Sequence, residues 1–266
     1  MIDLKTGIEI ELLLPAGMGR FDLLDALASR FGGTVERFDF PSKIPVPSGL
    51  PPAATIALIQ DIARHHEAQV RSISPDFRFV YLSHRAGRVN GLSVVHDNTL
   101  AGGERVAEIV SSPMLREDLP AFAQIVAFIR DIPGVEIPET AALHVHVDGT
   151  GFQESAALIC LIEAFEAIEP ALRASAPVAL RRAATLPSAL LVELRDGVPW
   201  RDALRAHVPS RAFALNLYNL IADEPHKLTV ELKLAGATLD PAKVLALREM
   251  FVALAAGALA ARLGPE

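Results

Sequence analysis

The sequence has almost no cysteine and no long uncharged apolar run. Its single cysteine, Cys160, cannot form an internal disulfide, and it lies in an apolar stretch of helical spacing where a thiol usually packs. We therefore predict the reducing cytosol as its compartment. Acidic residues near the start of the chain argue against a signal peptide, and no segment supplies the roughly 18 uncharged apolar residues of a membrane helix. We expect no membrane partner and a buried helix over residues 250–261.

Positive charge is also scarce. The chain has 25 Lys and Arg against 32 Asp and Glu, which gives a formal net charge of -7. Binding to nucleic-acid phosphates needs clustered basic side chains, and the pair Arg181-Arg182 is too short to count, so we predict no nucleic-acid partner.

The motif G-x-x-x-x-G-K-[ST] is absent, which excludes an ordinary P-loop, and no H-E-x-x-H or C-x-x-C spacing of a zinc site occurs.

The hydrophobic content and the order of the elements indicate the fold class. With 266 residues, of which 51% are hydrophobic, the chain can bury a substantial core. We predict a single domain over residues 1–266 with a proline-rich insertion near 41–52, which we expect to be an irregular connection. Predicted strands cover residues 4–14, 34–40, 77–83, 92–96, 107–110, 143–148, 212–220 and 228–234. Predicted helices cover residues 21–31, 53–70, 119–129, 153–174 and 200–206, and a last one starts at Asp240. Several predicted strands follow one another without a helix between them. We therefore expect an α+β fold with a largely antiparallel sheet and helices on one face.

Three predicted strands carry polar ligand-type residues at every second position. A strand turns successive side chains to opposite faces, so residues 7–11, 143–148 and 229–234 each have one apolar and one polar face. On the first, Glu9 and Glu11 point the same way. Two carboxylates side by side repel, and a divalent cation between them resolves the repulsion. The E-x-E pattern is common, however, and taken alone it is more typical of an exposed edge strand with two solvated carboxylates.

The second strand places His144, His146 and Asp148 on one face. Histidines at this spacing can ligate a metal, donate to a phosphate or transfer protons. The alternative is one structural histidine and one exposed one. The remaining histidines are scattered, and the excess of carboxylates favours Mg²⁺ or Mn²⁺ over Zn²⁺.

The third strand adds Glu231 and Lys233. They form either an ordinary surface pair or a metal-binding carboxylate beside a cation that neutralises a phosphoryl group. Arg211 could supply a fork of donors for phosphate or carboxylate. Glu108, at the end of another predicted strand, supplies one more carboxylate.

Taken in order, these motifs resemble the amidoligase family over nearly the whole chain. The matching segments are residues 6–11, 108–115, 143–148, Arg211 with 215–216, 229–233 and 238–240. More distantly, that family resembles the catalytic domains of glutamine synthetase and glutamate cysteine ligase. The resemblance implies a curved antiparallel sheet that binds ATP and two or more magnesium ions on its concave face, with helices behind it.

The resemblance also implies roles for single residues. Glu9, Glu11, Glu108 and Glu231 match metal carboxylates. His144 would lie by a metal and phosphate, with His146 beside it towards the cofactor, and the sequence leaves open which of the two histidines is the metal ligand. Arg211 matches a residue that contacts phosphate or substrate carboxylate. Lys233 departs from the pattern because arginine is more usual there, and a lysine keeps the charge but loses the bidentate fork.

The implied reaction is an ATP-dependent ligation through an acyl phosphate. The partners would be a small-molecule or peptide carboxylate and an amine or ammonia, with ATP and Mg²⁺, or Mn²⁺, as cofactors; a homo-oligomer is compatible with the sequence. Two other functions remain open. One is a phosphotransferase of the guanidino-kinase type, and the other is a catalytically weakened module that binds nucleotide or metal.

Overall fold

The computed structural model describes residues 3–47, 50–65, 69–74, 78–97, 99–222 and 228–262, and shows an α+β protein with a large antiparallel sheet. The strands are β1 (Thr6–Leu13), β2 (Glu36–Pro45), β3 (Gln69–Ile73), β4 (Phe79–Val89), β5 (Leu92–Val95), β6 (Val106–Ser111), β7 (Ala142–Asp148), β8 (Leu215–Asn216) and β9 (Thr229–Gly236). The α-helices are α1 (Arg20–Phe31), α2 (Pro52–His65), α3 (Leu119–Arg130), α4 (Ser155–Ser175), α5 (Ser188–Arg195), α6 (Trp200–His207) and α7 (Pro241–Ala261). The predicted fold class is confirmed at this level. The specific likeness to glutamine synthetase stays a prediction.

The chain divides into two compact units. The first comprises Met1–Ile10, Pro113–Asp131 and Glu139–Glu266, and the second comprises Glu11–Ser112 and Ile132–Pro138. Strand β1 runs from the first unit into the second, so its two halves belong to different units. Whether the chain acts as one catalytic domain stays a prediction.

In the first unit, the strands follow the order β1, β7, β9, β8, and the described pairings are antiparallel. Ile8, Ile10, Val145 and Val147 alternate with polar residues and are fully buried. Helix α7 packs on β7, α4 packs on β9, and the two helices contact each other. The apolar side chains of the strands and the helices therefore form one core, which leaves the alternate positions of the strands for polar groups.

In the second unit, β6, β5, β4 and β2 follow the end of β1, and β3 also pairs with β4. Helix α1 packs on β4 and β5. The strands predicted over residues 77–83 and 92–96 form a hairpin, in which β4 and β5 pair through a turn at Asn90-Gly91. Asn90 has φ 50 and Gly91 has φ 74, the left-handed values that a tight two-residue hairpin turn requires.

The predicted irregular connection at residues 41–52 is wrong at its start. Strand β2 continues through Pro41 to Pro45 and pairs with β4 along this whole length. It is the terminal strand of the described order, and a strand at a sheet edge tolerates proline because an outward position needs no N–H donor. Residues 48–49 lie outside the described part of the chain.

Two further element predictions need correction. Helix α2 ends at His65 instead of residue 70, and residues 69–73 form strand β3, where Val70 and Ile73 suit a strand as well as a helix. The strand predicted over residues 212–220 reduces to the two residues of β8, followed by a 3₁₀ turn, Tyr218–Leu220. Short apolar runs do not distinguish a strand from a turn that is buried by the rest of the protein.

Helix α7 is, by length and composition alone, a described helix that could cross a membrane, and 39% of its most apolar window is buried. It also contains Arg248, which is only 1% exposed. Arg248 Nε donates to Thr6 Oγ1 at 3.0 Å, and its Nη1 donates to Glu249 Oε1 at 2.7 Å. The buried guanidinium and the packing on α4 and β7 are features of a helix that belongs to the protein core.

We expect Arg248→Met to lower the free energy of unfolding by about 1–3 kcal/mol, because it leaves the buried Thr6 hydroxyl without its guanidinium donor. The matched control is Arg116→Met, because Arg116 pairs with the same Glu249 at 3.3 Å but is 63% exposed. An exposed pair contributes little, so the control should change stability by less than about 0.5 kcal/mol. Urea unfolding of both variants measures the difference, and equal losses would show that burial of Arg248 is not what matters.

Candidate active site

Strand pairing in the first unit collects polar residues on one face of neighbouring strands. Glu9 of β1 lies opposite His144 of β7, and His146 of β7 lies opposite Glu231 of β9. Residues directly opposite each other in an antiparallel pair point to the same face. The β1 residue opposite His146 is Gly7, which has no side chain to fill the space beside the ring. Local alternation and strand register together therefore build the cluster.

The two histidines lie between the two carboxylates. His144 Nδ1 is 3.1 Å from Glu9 Oε2 and 3.6 Å from Glu231 Oε1. His146 Nε2 is 3.3 Å from Glu9 Oε1 and 3.6 Å from Glu231 Oε1. The side chains of His144 and His146 are 13% and 15% exposed, and that of Glu231 is only 2% exposed. We call these four residues the carboxylate-histidine cluster.

Glu231 is held from two further directions. Asn216 of β8, which is fully buried, donates from Nδ2 to Glu231 Oε2 at 2.5 Å. Lys233 Nζ lies 2.8 Å from the other oxygen, Oε1, although outside the direction of a good hydrogen bond. Asn216 is itself fixed, because its Oδ1 accepts a hydrogen bond from the backbone N–H of Tyr218 at 2.9 Å. Oε2 of Glu231 thus accepts a hydrogen bond from Asn216, and Oε1 faces the histidines and Lys233.

The cluster shifts the pKa values of three members. Burial raises the pKa of Glu9, but contact with the rings of His144 and His146 outweighs burial and holds that pKa well below its ordinary value of 4.5. Burial likewise raises the pKa of Glu231, and the charges of His146 and Lys233 bring it below 4.5. Burial lowers the pKa of His146, yet Glu231 and Glu9 raise it above the ordinary 6.5. Without a metal, the cluster therefore favours ionised carboxylates around a protonated ring.

The same atoms fit a divalent cation. Donor atoms of Glu9, His146 and Glu231 all lie within 4.8 Å of one another. His146 Nε2 and Glu231 Oε1 are buried and have no hydrogen-bond partner within the described residues. His146 Nε2 lies 3.3 Å from Glu9 Oε1 and 3.6 Å from Glu231 Oε1, and two ligands that are each about 2.1 Å from one Mg²⁺ or Mn²⁺ ion can be this far apart. Two carboxylates and one imidazole are a ligand set that such ions accept.

The second unit contains a separate group of acidic residues. Carboxylate oxygens of Glu11, Asp97 and Glu108 lie within 4.8 Å of one another, and Glu11 is 3% exposed. Asp97 Oδ1 accepts hydrogen bonds from the backbone N–H groups of Thr99 and Leu100, at 2.6 and 3.0 Å. Glu11 and Glu108 are residues for which the sequence predicts metal binding. Their role as ligands stays a prediction, and the structure adds Asp97 beside them.

The remaining predicted residue, Arg211, lies in the exposed bend that precedes β8. Its contact with phosphate or carboxylate stays a prediction. The structure also shows side chains that sequence reasoning did not select for the site, namely Asn216, Thr229, Asn219 and Asp97. Asn216 and Thr229 stand inside the motifs that suggested the family, whereas Asn219 and Asp97 sit in turns, where a polar residue usually has only a local role.

Comparison with known families agrees with this geometry. This α+β protein gathers carboxylates and histidines that could hold a metal ion, with a lysine beside them, on one strand face. The family model described as "Putative amidoligase enzyme" matches residues 3–255, and the chain belongs to this family. It is a family of ligase-type enzymes. Searches of curated proteins and of solved structures found no significant match.

The pKa shifts predict how pH changes the stability of the metal-free protein. Because the pKa of His146 is raised, its protonated ring stabilises the fold. This stabilisation is fully present below pH 6.5 and is lost as the pH rises through the raised pKa. Because the pKa values of Glu9 and Glu231 are lowered, their ionised carboxylates stabilise the fold. This stabilisation is fully present above pH 4.5 and is lost as the pH falls through the lowered pKa values. The cluster therefore stabilises the metal-free fold most between pH 4.5 and 6.5.

His146→Gln tests this expectation. Urea unfolding in the presence of a chelator should show the variant less stable than the wild type between pH 4.5 and 6.5, and the difference should shrink well above 6.5. Repeating the series with excess Mn²⁺ should reverse the trend, because a metal ligand must be a neutral ring and the wild type then gains stability as pH rises. A difference that is independent of pH would contradict the raised pKa of His146.

Proposed function

We propose that this protein is an ATP-dependent carboxylate-amine ligase. The observation that supports the proposal most is the carboxylate-histidine cluster beside Lys233, in a chain that belongs to the amidoligase family. A carboxylate oxygen of the substrate attacks the γ-phosphorus of ATP and ADP leaves, which forms an acyl phosphate. The amine or ammonia then attacks the carbonyl carbon. The C–N bond forms, the C–O bond to phosphate breaks, and a proton is released.

Within this proposal Glu9, His146 and Glu231 hold a divalent ion. His146 is the ligand we favour, because its Nε2 is buried among the carboxylates, whereas His144 Nδ1 already hydrogen-bonds Glu9 at 3.1 Å. The ion, Mg²⁺ or Mn²⁺, would neutralise the phosphates of ATP and orient the reacting groups. Glu11, Asp97 and Glu108 are a carboxylate set suited to a second hard cation. His144 positions Glu9 by that hydrogen bond.

The basic side chains would act on the transferring group. Lys233 Nζ lies 2.8 Å from Glu231 and is 21% exposed, so its ammonium borders both the buried carboxylate and solvent. Such a charge stabilises the negative charge that develops during phosphoryl transfer. Arg211 would bind phosphate or the substrate carboxylate, because its planar fork suits both. The substrate acid and amine are small molecules or a peptide.

Incubation with ATP, Mg²⁺ and panels of acids and amines tests the reaction. We expect ADP, free phosphate and an amide, and hydroxylamine added in place of the amine should trap the acyl phosphate as a hydroxamate. Glu231→Gln should abolish all products, because it removes a charged ligand of the ion. A stable phosphorylated acceptor without amide would instead indicate a phosphotransferase. Binding of ATP and Mg²⁺ with no product from any pair would indicate a binding module.

Lys233 variants separate the role of the ammonium from that of the ion. Lys233→Met should lower kcat by about 100- to 1,000-fold, the loss typical of one donor to a transition-state charge. The affinity for Mn²⁺ should stay equal or increase, since Glu231 loses a competing cation. Lys233→Arg, which keeps the charge, should retain most of the rate. A parallel loss of Mn²⁺ affinity and rate in Lys233→Met would show that the lysine supports the ion site rather than the transferring group.

A further inference from the structure

Behind His146, on the side away from the carboxylates, lies a pair of polar residues to which the proposed reaction gives no role. His146 Nδ1 lies 3.2 Å from the hydroxyl oxygen of Thr229, the first residue of β9. The same oxygen accepts a hydrogen bond from Asn219 Nδ2 at 3.0 Å. Asn219 is 4% exposed and belongs to the 3₁₀ turn after β8. The two nitrogens of the His146 ring thus face different groups.

The chemistry of a metal-binding imidazole explains why this arrangement matters. A ring that ligates through Nε2 needs a lone pair there, so its proton must be on Nδ1 and must be donated to an acceptor. A hydroxyl oxygen has two lone pairs, and it can accept from Asn219 Nδ2 and from His146 Nδ1 at the same time. If the hydroxyl instead donates to Nδ1, the ring proton moves to Nε2, where it faces the carboxylates and obstructs a cation.

The burial of Asn219 points in the same direction. Its Oδ1 is buried and has no hydrogen-bond partner within the described residues. A buried amide that leaves its oxygen unsatisfied is unfavourable for folding. The contact that the structure describes for its side chain is the Nδ2 donation to Thr229. This donation occupies one lone pair of the hydroxyl oxygen and leaves the other to accept from His146 Nδ1–H.

We propose that Thr229 and Asn219 are positioning residues that set the tautomer of His146. Thr229 accepts the Nδ1 proton, Asn219 fixes the hydroxyl, and the Nε2 lone pair is thereby directed at Glu9 and Glu231, 3.3 and 3.6 Å away. The inference rests on the proposed function, because it concerns the same ion site. It makes the ability of that site to bind an ion depend on two residues that contact neither the ion nor the substrate.

Thr229→Val and Thr229→Ser form a matched pair of variants. Valine keeps the β-branched shape that suits a strand but removes the hydroxyl, whereas serine restores it. The affinity for Mn²⁺ should fall about 10- to 100-fold in Thr229→Val, the loss typical for an outer partner of a metal ligand, and stay near wild type in Thr229→Ser. ¹⁵N NMR of the metal-free proteins, at a pH where the ring is neutral, should show an Nδ1–H tautomer that Thr229→Val alone loses.

Asn219→Ala tests whether the second residue acts through the first. Alone, it should weaken Mn²⁺ binding less than Thr229→Val does, because the hydroxyl remains but is less well oriented. Added to Thr229→Val, it should cause no further loss of Mn²⁺ affinity, because Asn219 acts on His146 only through the hydroxyl that Thr229→Val has already removed. Losses that multiply in the double variant would overturn the role assigned to Asn219.

The outcomes separate this inference from the ligase reaction. Unchanged Mn²⁺ affinity and an unchanged tautomer in folded Thr229→Val would overturn the inference, even if the wild type forms amide. A lost tautomer and lost affinity in Thr229→Val, restored in Thr229→Ser, would support it even if no amide forms. A wild type that binds no Mn²⁺ would overturn the inference together with the ion site of the proposed function.

Discussion

The burial of the Glu231 carboxylate is the constraint on which the rest of the site depends. Its side chain is 2% exposed, and an ionised carboxylate removed from water costs several kcal/mol unless charges and hydrogen bonds replace the solvent. Asn216 satisfies one oxygen, while Lys233 and the rings of His144 and His146 surround the other. These groups belong to β7, β8 and β9, so the charge can be buried only when the three strands are paired in this register.

The alternation within strands is the part of the site that could be predicted from sequence. The alternation of side chains between the two faces of a strand can be recognised without the tertiary structure. It predicts that Glu9, His144, His146 and Glu231 lie on the polar faces of their strands, as they do. Their convergence, by contrast, depends on register, and register follows from packing over long separations in the chain. Asn219 and Asp97 could not be found this way, because they lie in turns whose neighbours are set by the whole fold.

The errors in the fold have a related cause. The proline cluster at residues 41–52 predicts an irregular connection, but residues 41–45 lie in the last strand of the strand order, where proline is tolerated. Residues 69–73 and 212–220 are short apolar segments, for which helix, strand and turn have similar local preferences. The longer amphipathic segments, such as α1 and α3, were predicted within one residue of their ends, since several turns of consistent pattern outweigh local ambiguity.

Within the proposed function, charge balance explains how a cluster that is acidic by itself would accept a nucleotide. With neutral histidine rings, the two carboxylates of Glu9 and Glu231 exceed the single charge of Lys233, and the net charge is negative. A proton on His146 removes that excess, which is why the pKa of this ring is raised. A divalent ion in place of the proton makes the net charge positive and therefore attractive to phosphate.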